Sequence, residues 1–379
     1  MDESPLGVTS EAPPSAVPLE LEPLPEGFIL RGLATLDPGY FAAVMATGIV
    51  SIAARLLGLI PVANALLVVT AVIFVVLVLA YLARAVLYPR RFAQSLRMPS
   101  SAVSFFTVVA GINVLATALL ATGLWGVSLV LGIVAVIIWA VLSYGLFCSI
   151  VLAGNRPLLR EINGGWLVWI VGTQSVAVLA TAIAPRLPWT LLAEMFAGGA
   201  VMFWSVGVIL YLVFVVIIFL RLFLIETTPA EMGPAYWILM GATAISVRAA
   251  AGILTVTASD PTPLLTGMHP FVVGFSVVLW SFGSWFIPML VLFGLWRYFV
   301  RGFPWNYEPK LWSVVFPLGM YTVASITLGG AIDFAFMSMV AAAGVWVALV
   351  AWVIVAVLFI VATTGALRLH RREARAARL

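Results

Sequence analysis

Apolar residues run through the chain in ten long blocks, separated by short stretches that carry most of its charges. A helix needs about 20 apolar residues to cross the hydrocarbon core of a bilayer. The blocks therefore predict ten membrane spans, at residues 38–58, 62–87, 100–122, 125–153, 165–185, 196–224, 234–256, 268–298, 311–331 and 338–366. The fourth, sixth and eighth exceed the thickness of the core, so tilt or overhang is expected. The fold class is all-α, polytopic. Residues 1–36 break the pattern. They are rich in Pro and Glu, show no apolar period and predict a disordered, solvated tail. They lack the basic and apolar regions of a signal peptide, so no cleavage is expected. The expected division is a tail at 1–36, a ten-span domain at 37–366 and a basic tail at 367–379.

The blocks alternate in kind. Even spans, such as "LLVVTAVIFVVLVLA" and "VWVALVAWVIVAVLFI", are almost purely aliphatic and aromatic. Odd spans carry small, hydroxyl and amide residues: "YFAAVMATGIVSIAA", "FFTVVAGINVLATAL", "WLVWIVGTQSVAVLA", "YWILMGATAISVRAA" and "VVFPLGMYTVASITL". Aligning Gly48, Gly111, Gly172, Gly241 and Gly319 places Asn113, Gln174 and Thr243 two residues on and Ser51, Ser175 and Thr322 three on. Apolar helices suit lipid, whereas small and polar ones suit close helix contact or a polar lumen. Five helical hairpins follow, with odd helices inside and even helices outside. The small residues fit either tight packing or a central pathway. The recurrence of the pattern in all five odd spans favours the pathway.

Composition confirms the class. The chain is 64% hydrophobic and 9% charged, with a mean hydropathy of +1.17. Soluble proteins carry roughly 25% charged residues. A single cysteine, Cys148, excludes an intrachain disulfide framework and a Cys-based metal site. His269 and His370 lie far apart near span ends, and His269 reads as a cap. No metal site and no cofactor are expected. No phosphate loop, nucleophile elbow or zinc-helix motif occurs, and no span holds an acidic pair, so no catalytic residue is assigned.

Basic residues set the orientation. If loops after even spans and both termini face the cytoplasm, that side holds 16 of the 19 Lys and Arg residues, leaving Arg55, Arg186 and Arg248. The pI near 9.5 follows from this bias and needs no nucleic-acid partner. The expected setting is the cell membrane, with both termini cytoplasmic.

No carboxylate lies deep within an odd span. A cation pathway or proton relay ordinarily places one there. Hydroxyls, amides and arginine can instead replace the hydration of an anion. Candidate lining or anion-binding residues are Thr47, Gly48, Ser51, Asn113, Gln174, Ser175, Thr243, Ser246, Arg248, Thr322 and Ser325. Arg248 reads either as a pathway charge or as a side chain snorkelling to the outer interface. Arg55, near the end of span one, reads as snorkelling. Span nine adds Phe316 directly before Pro317, which lies beyond the first helical turn and must kink the helix.

The ten spans, the hairpin repeat and "WSVVFPLGMYTVAS" together resemble the tellurite-resistance/dicarboxylate transporter family. That family groups bacterial tellurite-resistance proteins, fungal malate permeases, sulfite efflux pumps and plant slow-type anion channels. "PGYFAAVMATGIVSIA" and "FFTVVAGINVLA" extend the resemblance over about 37–366. It implies five hairpins around a pseudo-fivefold pore, a homotrimer with one pore per protomer, and a ninth-span phenylalanine that closes the pore. By motif that residue is Phe316, beside the kinking Pro317. The family kinks other inner helices with proline too; here spans one, three, five and seven have glycine at the aligned position and no internal proline. The expected partners are small anions and the lipid bilayer. The cargo expected is malate or another C4-dicarboxylate, sulfite, chloride, nitrate or tellurite, moved by a channel or uniporter. Alternatives are a proton-coupled dicarboxylate carrier and, from another class, an intramembrane enzyme.

Overall fold

The computed structural model describes residues 24–25, 27–152, 158–187, 190–259 and 262–376. Among the described residues, ten helices are long and apolar enough to span a membrane: Pro38–Leu56, Ile60–Leu87, Pro99–Thr122, Trp125–Leu152, Gly164–Arg186, Thr190–Leu224, Pro234–Ser259, Pro263–Val300, Pro309–Ala331 and Ala335–Arg368. They match the expected spans. The largest shift is at span six, which begins at Thr190.

Each odd span packs against the even span that follows it, giving five hairpins. The odd spans also touch one another in a closed cycle: one with three, three with five, five with seven, seven with nine, and nine with one. In their apolar stretches 72–89% of residues are buried in odd spans, against 17–39% in even spans. The odd helices form an inner ring and the even helices a lipid-facing shell. The cause is compositional. Where lipid is as apolar as leucine, only close backbone approach and hydrogen bonds separate an inner helix from an outer one.

The aligned glycines show this directly. A Cβ on Gly48 would meet Val114 of span three at 2.6 Å, and one on Gly241 would meet Pro317 of span nine at 2.8 Å. Gly111 faces Phe41 and Val44, Gly172 faces Phe106, and Gly319 faces Ile49 and Val50. All five lie where inner helices touch, so close packing explains them, Gly48 included.

Every inner helix begins with a short 3-10 turn: Pro38–Phe41, Val103–Phe105, Gly164–Leu167, Pro234–Trp237 and Pro309–Leu311. Proline leads three of these turns, where no amide donor is needed. Asp37 and Asn163 cap two, accepting from the amides of Gly39 at 2.6 Å and Gly165 at 2.8 Å. The turns pack on one another. A Cβ on Gly164 would stand 2.5 Å from the carbonyl oxygen of Ala235 and 2.6 Å from the Cα of Tyr236. Backbone cannot yield as a side chain does. Gly164→Ala is therefore expected to destabilise the protein by about 1–3 kcal/mol. A thermal unfolding midpoint in detergent equal to that of the unmodified protein would contradict this contact.

Three outer helices end in buried arginines on the face that carries both described chain ends, called here the basic face. Arg84 donates to the carbonyl of Leu36 and to Ser95, both at 2.8 Å. Arg221 bonds Tyr236 at 2.9 Å and pairs with Glu231 at 3.3 Å. Arg297 pairs with Glu308 at 2.9 Å. Each ties an outer helix to the start of an inner one. Hydrogen bonds from the Thr228 amide and hydroxyl, aided by Arg221, hold the Glu231 carboxyl below its ordinary range.

Three details differ from expectation. Residues Phe28–Ala34, assigned to the tail, form a short helix that packs on span two, with Ala34 buried at its end. The last helix continues to Ala376, through most of the expected basic tail. His269 does not cap span eight. Thr262 does, accepting from the Leu265 amide at 3.4 Å, and the exposed His269 lies within the helix. Residues 1–23 of the expected tail lie outside the described residues.

Candidate functional site

Two hollows lie along the inner ring. One opens at the basic face, has a volume of about 230 Å³ and is lined by the opening segments of all five inner helices. The other is a central cavity of about 20 Å³, room for about one water. All five inner helices also line this one: Ile49 and Ile52, Val114 and Thr117, Ser175 and Val178, Ile245 and Arg248, Met320 and Val323. The pairs share one spacing, three residues, which keeps both members on one helix face.

The two hollows use the same face of the same helices. Ala42, Thr107, Val168, Ile238 and Ser313 line the basic-face vestibule, each seven residues before Ile49, Val114, Ser175, Ile245 and Met320 of the cavity. Seven residues are two turns, or roughly 10 Å of axis. The level between them, four residues before the cavity positions, is occupied by Met45, Ala110, Val171, Gly241 and Phe316. None of these lines either hollow. Phe316, 2% exposed, is the one aromatic residue at that level. Pro317 beside it packs against Gly241, the smallest residue of the set.

The electrostatics of the vestibule favour negative charge. Five helix N-termini converge on it, each the positive end of a helix dipole. Its two carboxylates are engaged: Asp37 accepts from Gly39, and Glu308 is paired with Arg297. Lys310 adds a positive charge.

In the central cavity, Arg248 has no hydrogen-bond or ion-pair partner among the described residues. Its guanidinium runs outward along its own helix, toward Gly252 and Thr181. Asn113 also faces the cavity; its Nδ2 donates to Ser175 Oγ at 2.8 Å, and its Oδ1 is buried without a partner. A guanidinium without a carboxylate partner has the charge and the donors to accept an anion.

Of the polar residues expected to line the pathway, Asn113, Ser175 and Arg248 meet at the cavity. The others turn to the outer helices. Thr47 accepts from the indole of Trp352 at 3.0 Å, and Ser325 from that of Trp280 at 2.9 Å. Ser51 donates to the carbonyl of Ala63 at 2.7 Å. Gln174 donates to the carbonyl of Trp204 at 3.1 Å and lies against Gly207. Thr243 lies against Gly283, and Thr322 against Gly344. Both donate to carbonyls of their own helix, as does Ser246. The indole of Trp204 donates to the backbone oxygen of Ser246 at 3.1 Å, and that of Trp139 to Thr173 at 2.8 Å. The reason is local. A buried indole N–H needs an acceptor, and a helical hydroxyl has its own i−3 or i−4 carbonyl within reach. Thus four of the five outer helices clamp the ring through tryptophan.

The cavity wall is more apolar than expected. Ile49, Ile52, Val114, Val178, Ile245, Met320 and Val323 escaped the sequence reading, as did the hydroxyl of Thr117. A signal for them existed. Counted from the first residue after each 3-10 turn, the first cavity residue comes seven or eight positions on in every inner helix. Arg55, read as snorkelling, donates to Asn64 of span two.

The chain matches the profile of the family described as SLAC1, voltage-dependent anion channel, over residues 35–360. It is 43% identical over 134 residues to an uncharacterized membrane protein of Mycobacterium tuberculosis, which covers 35% of this chain and 66% of that protein, just under two thirds of its length. It is 26% identical over 303 residues to an uncharacterized transporter of Methanocaldococcus jannaschii, covering 76% of this chain and 82% of that one. A second uncharacterized transporter of the same organism is 25% identical over 314 residues, covering 77% and 84%.

Proposed function

Because the chain belongs to the SLAC1 voltage-dependent anion channel family, we propose that it passes small anions along the axis of its inner ring, with Phe316 as the plug. The observation that carries this reading is Arg248: an arginine among the lining of a cavity walled by all five inner helices, with no protein counter-charge among the described residues. An anion arriving from the vestibule gains the dipole field of five helix ends, then the fork of Arg248. Between them it must pass the level of Phe316. A bulky apolar side chain closes a narrow pore both by filling it and by excluding water.

The basic face is the cytoplasmic one in this proposal, following the basic-residue bias, and the membrane is the cell membrane. The hairpins sit about a pseudo-fivefold axis, three chains assemble with one pore each, and no chemistry is performed on the cargo. The cargo is a small oxyanion, halide or C4-dicarboxylate. An ion of one negative charge and few atoms fits the closed cavity better than malate does, so opening must widen it for the larger substrate.

Purified protein in liposomes, with membrane potential and pH gradient set separately, tests the reading. Flux of chloride, nitrate, sulfite and malate is expected to follow the electrical and concentration gradients. Potassium flux in place of anion flux would refute the reading. Uphill malate accumulation driven by a pH gradient alone would replace it with a proton-coupled carrier.

A further inference from the structure

A second pocket, of about 280 Å³, lies between spans four and five with Phe196 of span six at its edge. Its walls are apolar. Ile133 and Ile137, 51% and 59% exposed, stand at its lipid side. Gly132 lets spans four and five approach closely at its wall, since a Cβ there would come 2.8 Å from Leu179. The single polar residue lining it is Asn113, which is 1% exposed and also lines the central cavity. One side chain thus stands between a lipid-facing pocket and the axis.

The direction of that carboxamide is fixed by its neighbour. Ser175 Oγ spends its proton on the carbonyl of Gly172 at 2.7 Å. It therefore accepts from Asn113 Nδ2, and the orphan atom is the carbonyl oxygen Oδ1. A buried acceptor left unmatched is unfavourable and calls for a donor. The walls call for hydrocarbon. An ionised anion meets neither need, because it brings acceptors to an acceptor.

We propose that this pocket binds a small amphiphile from the bilayer, an alkyl body with one hydroxyl donor, whose hydroxyl bonds Asn113 Oδ1. The class is that of medium-chain alcohols. The site is separate in chemistry from Arg248, which selects negative charge, and its occupancy does not require that the protein transport anything.

The test is photolabelling of the full chain in lipid nanodiscs with an octanol carrying an aliphatic diazirine, with adducts mapped by mass spectrometry. Adducts are expected at Ile133, Ile137 or Phe196, displaced by excess octanol. A matched probe without the hydroxyl is expected to label about fivefold less, the worth of one hydrogen bond. Ile133→Trp, which narrows the mouth on the lipid side, should cut labelling by the hydroxyl probe. Asn113→Leu should make the two probes label alike. Adducts spread evenly over lipid-facing residues of all outer helices, failure of octanol to compete, or equal labelling by both probes in the unmodified protein would each overturn the site.

Discussion

Replacing Phe316 by alanine is expected to raise anion flux through liposomes on the order of tenfold or more. The reasoning is steric. At the level of Phe316 the other four inner helices present Met45, Ala110, Val171 and Gly241. Only Met45 has reach, and Gly241 is already covered by Pro317. Removing the ring leaves a gap that its neighbours are too small to refill, joining the vestibule to the central cavity. The substitution also costs about 3–5 kcal/mol of packing, as large-to-small core changes do. Folded yield is therefore measured alongside flux, and Phe316→Leu serves as a milder variant expected to fall between the two. Unchanged flux from folded Phe316→Ala protein would remove Phe316 as the plug.

Arg248→Gln is expected to raise the anion concentration for half-maximal flux by about 10- to 100-fold, since hydrogen bonds to charged groups contribute about 1.5–3 kcal/mol. Glutamine keeps an amide donor but is shorter than arginine and loses the charge. The loss should fall on selectivity as well, so the reversal potential in asymmetric salt should move toward that of a non-selective pathway. Arg248→Lys keeps the charge and loses the fork, and is expected to lie between. Half-saturation and reversal potential both equal to those of the unmodified protein would leave Arg248 a side chain without a part in transport.

Much of the architecture was legible because the bilayer enforces it. Ten apolar runs of spanning length admit few arrangements, and the contrast between "LLVVTAVIFVVLVLA" and "YFAAVMATGIVSIAA" already separates shell from ring. Arg248 was legible as a charge where none is cheap. The facing of the hydroxyls was not. In a membrane helix, Thr47 or Ser325 looks the same whether it meets an ion or an outer tryptophan, and only the partner's position decides. The glycine alignment also misled at Gly48, which marks where two inner helices touch. The 3-10 turns, with the aromatic pairs Tyr40–Phe41, Phe105–Phe106 and Tyr236–Trp237 within or at their ends, are the register marks that bring the axial residues into line. The apolar cavity residues carried no chemical signal of their own, and Asn113 did not announce that it borders two pockets.

The tryptophan clamps bear on how such a protein diversifies. Four of the five inner helices keep a tryptophan fastening on one side and, in the function proposed, a passage on another, so the two sets of residues answer to different demands. Changes at Ile49, Thr117, Val178 or Met320 can alter what passes while leaving the indole bonds and glycine contacts untouched. Changes at Thr47 or Gly48 would loosen the ring without informing its choice of cargo. A lineage built this way can exchange substrates by altering about ten side chains while its frame drifts under separate constraint.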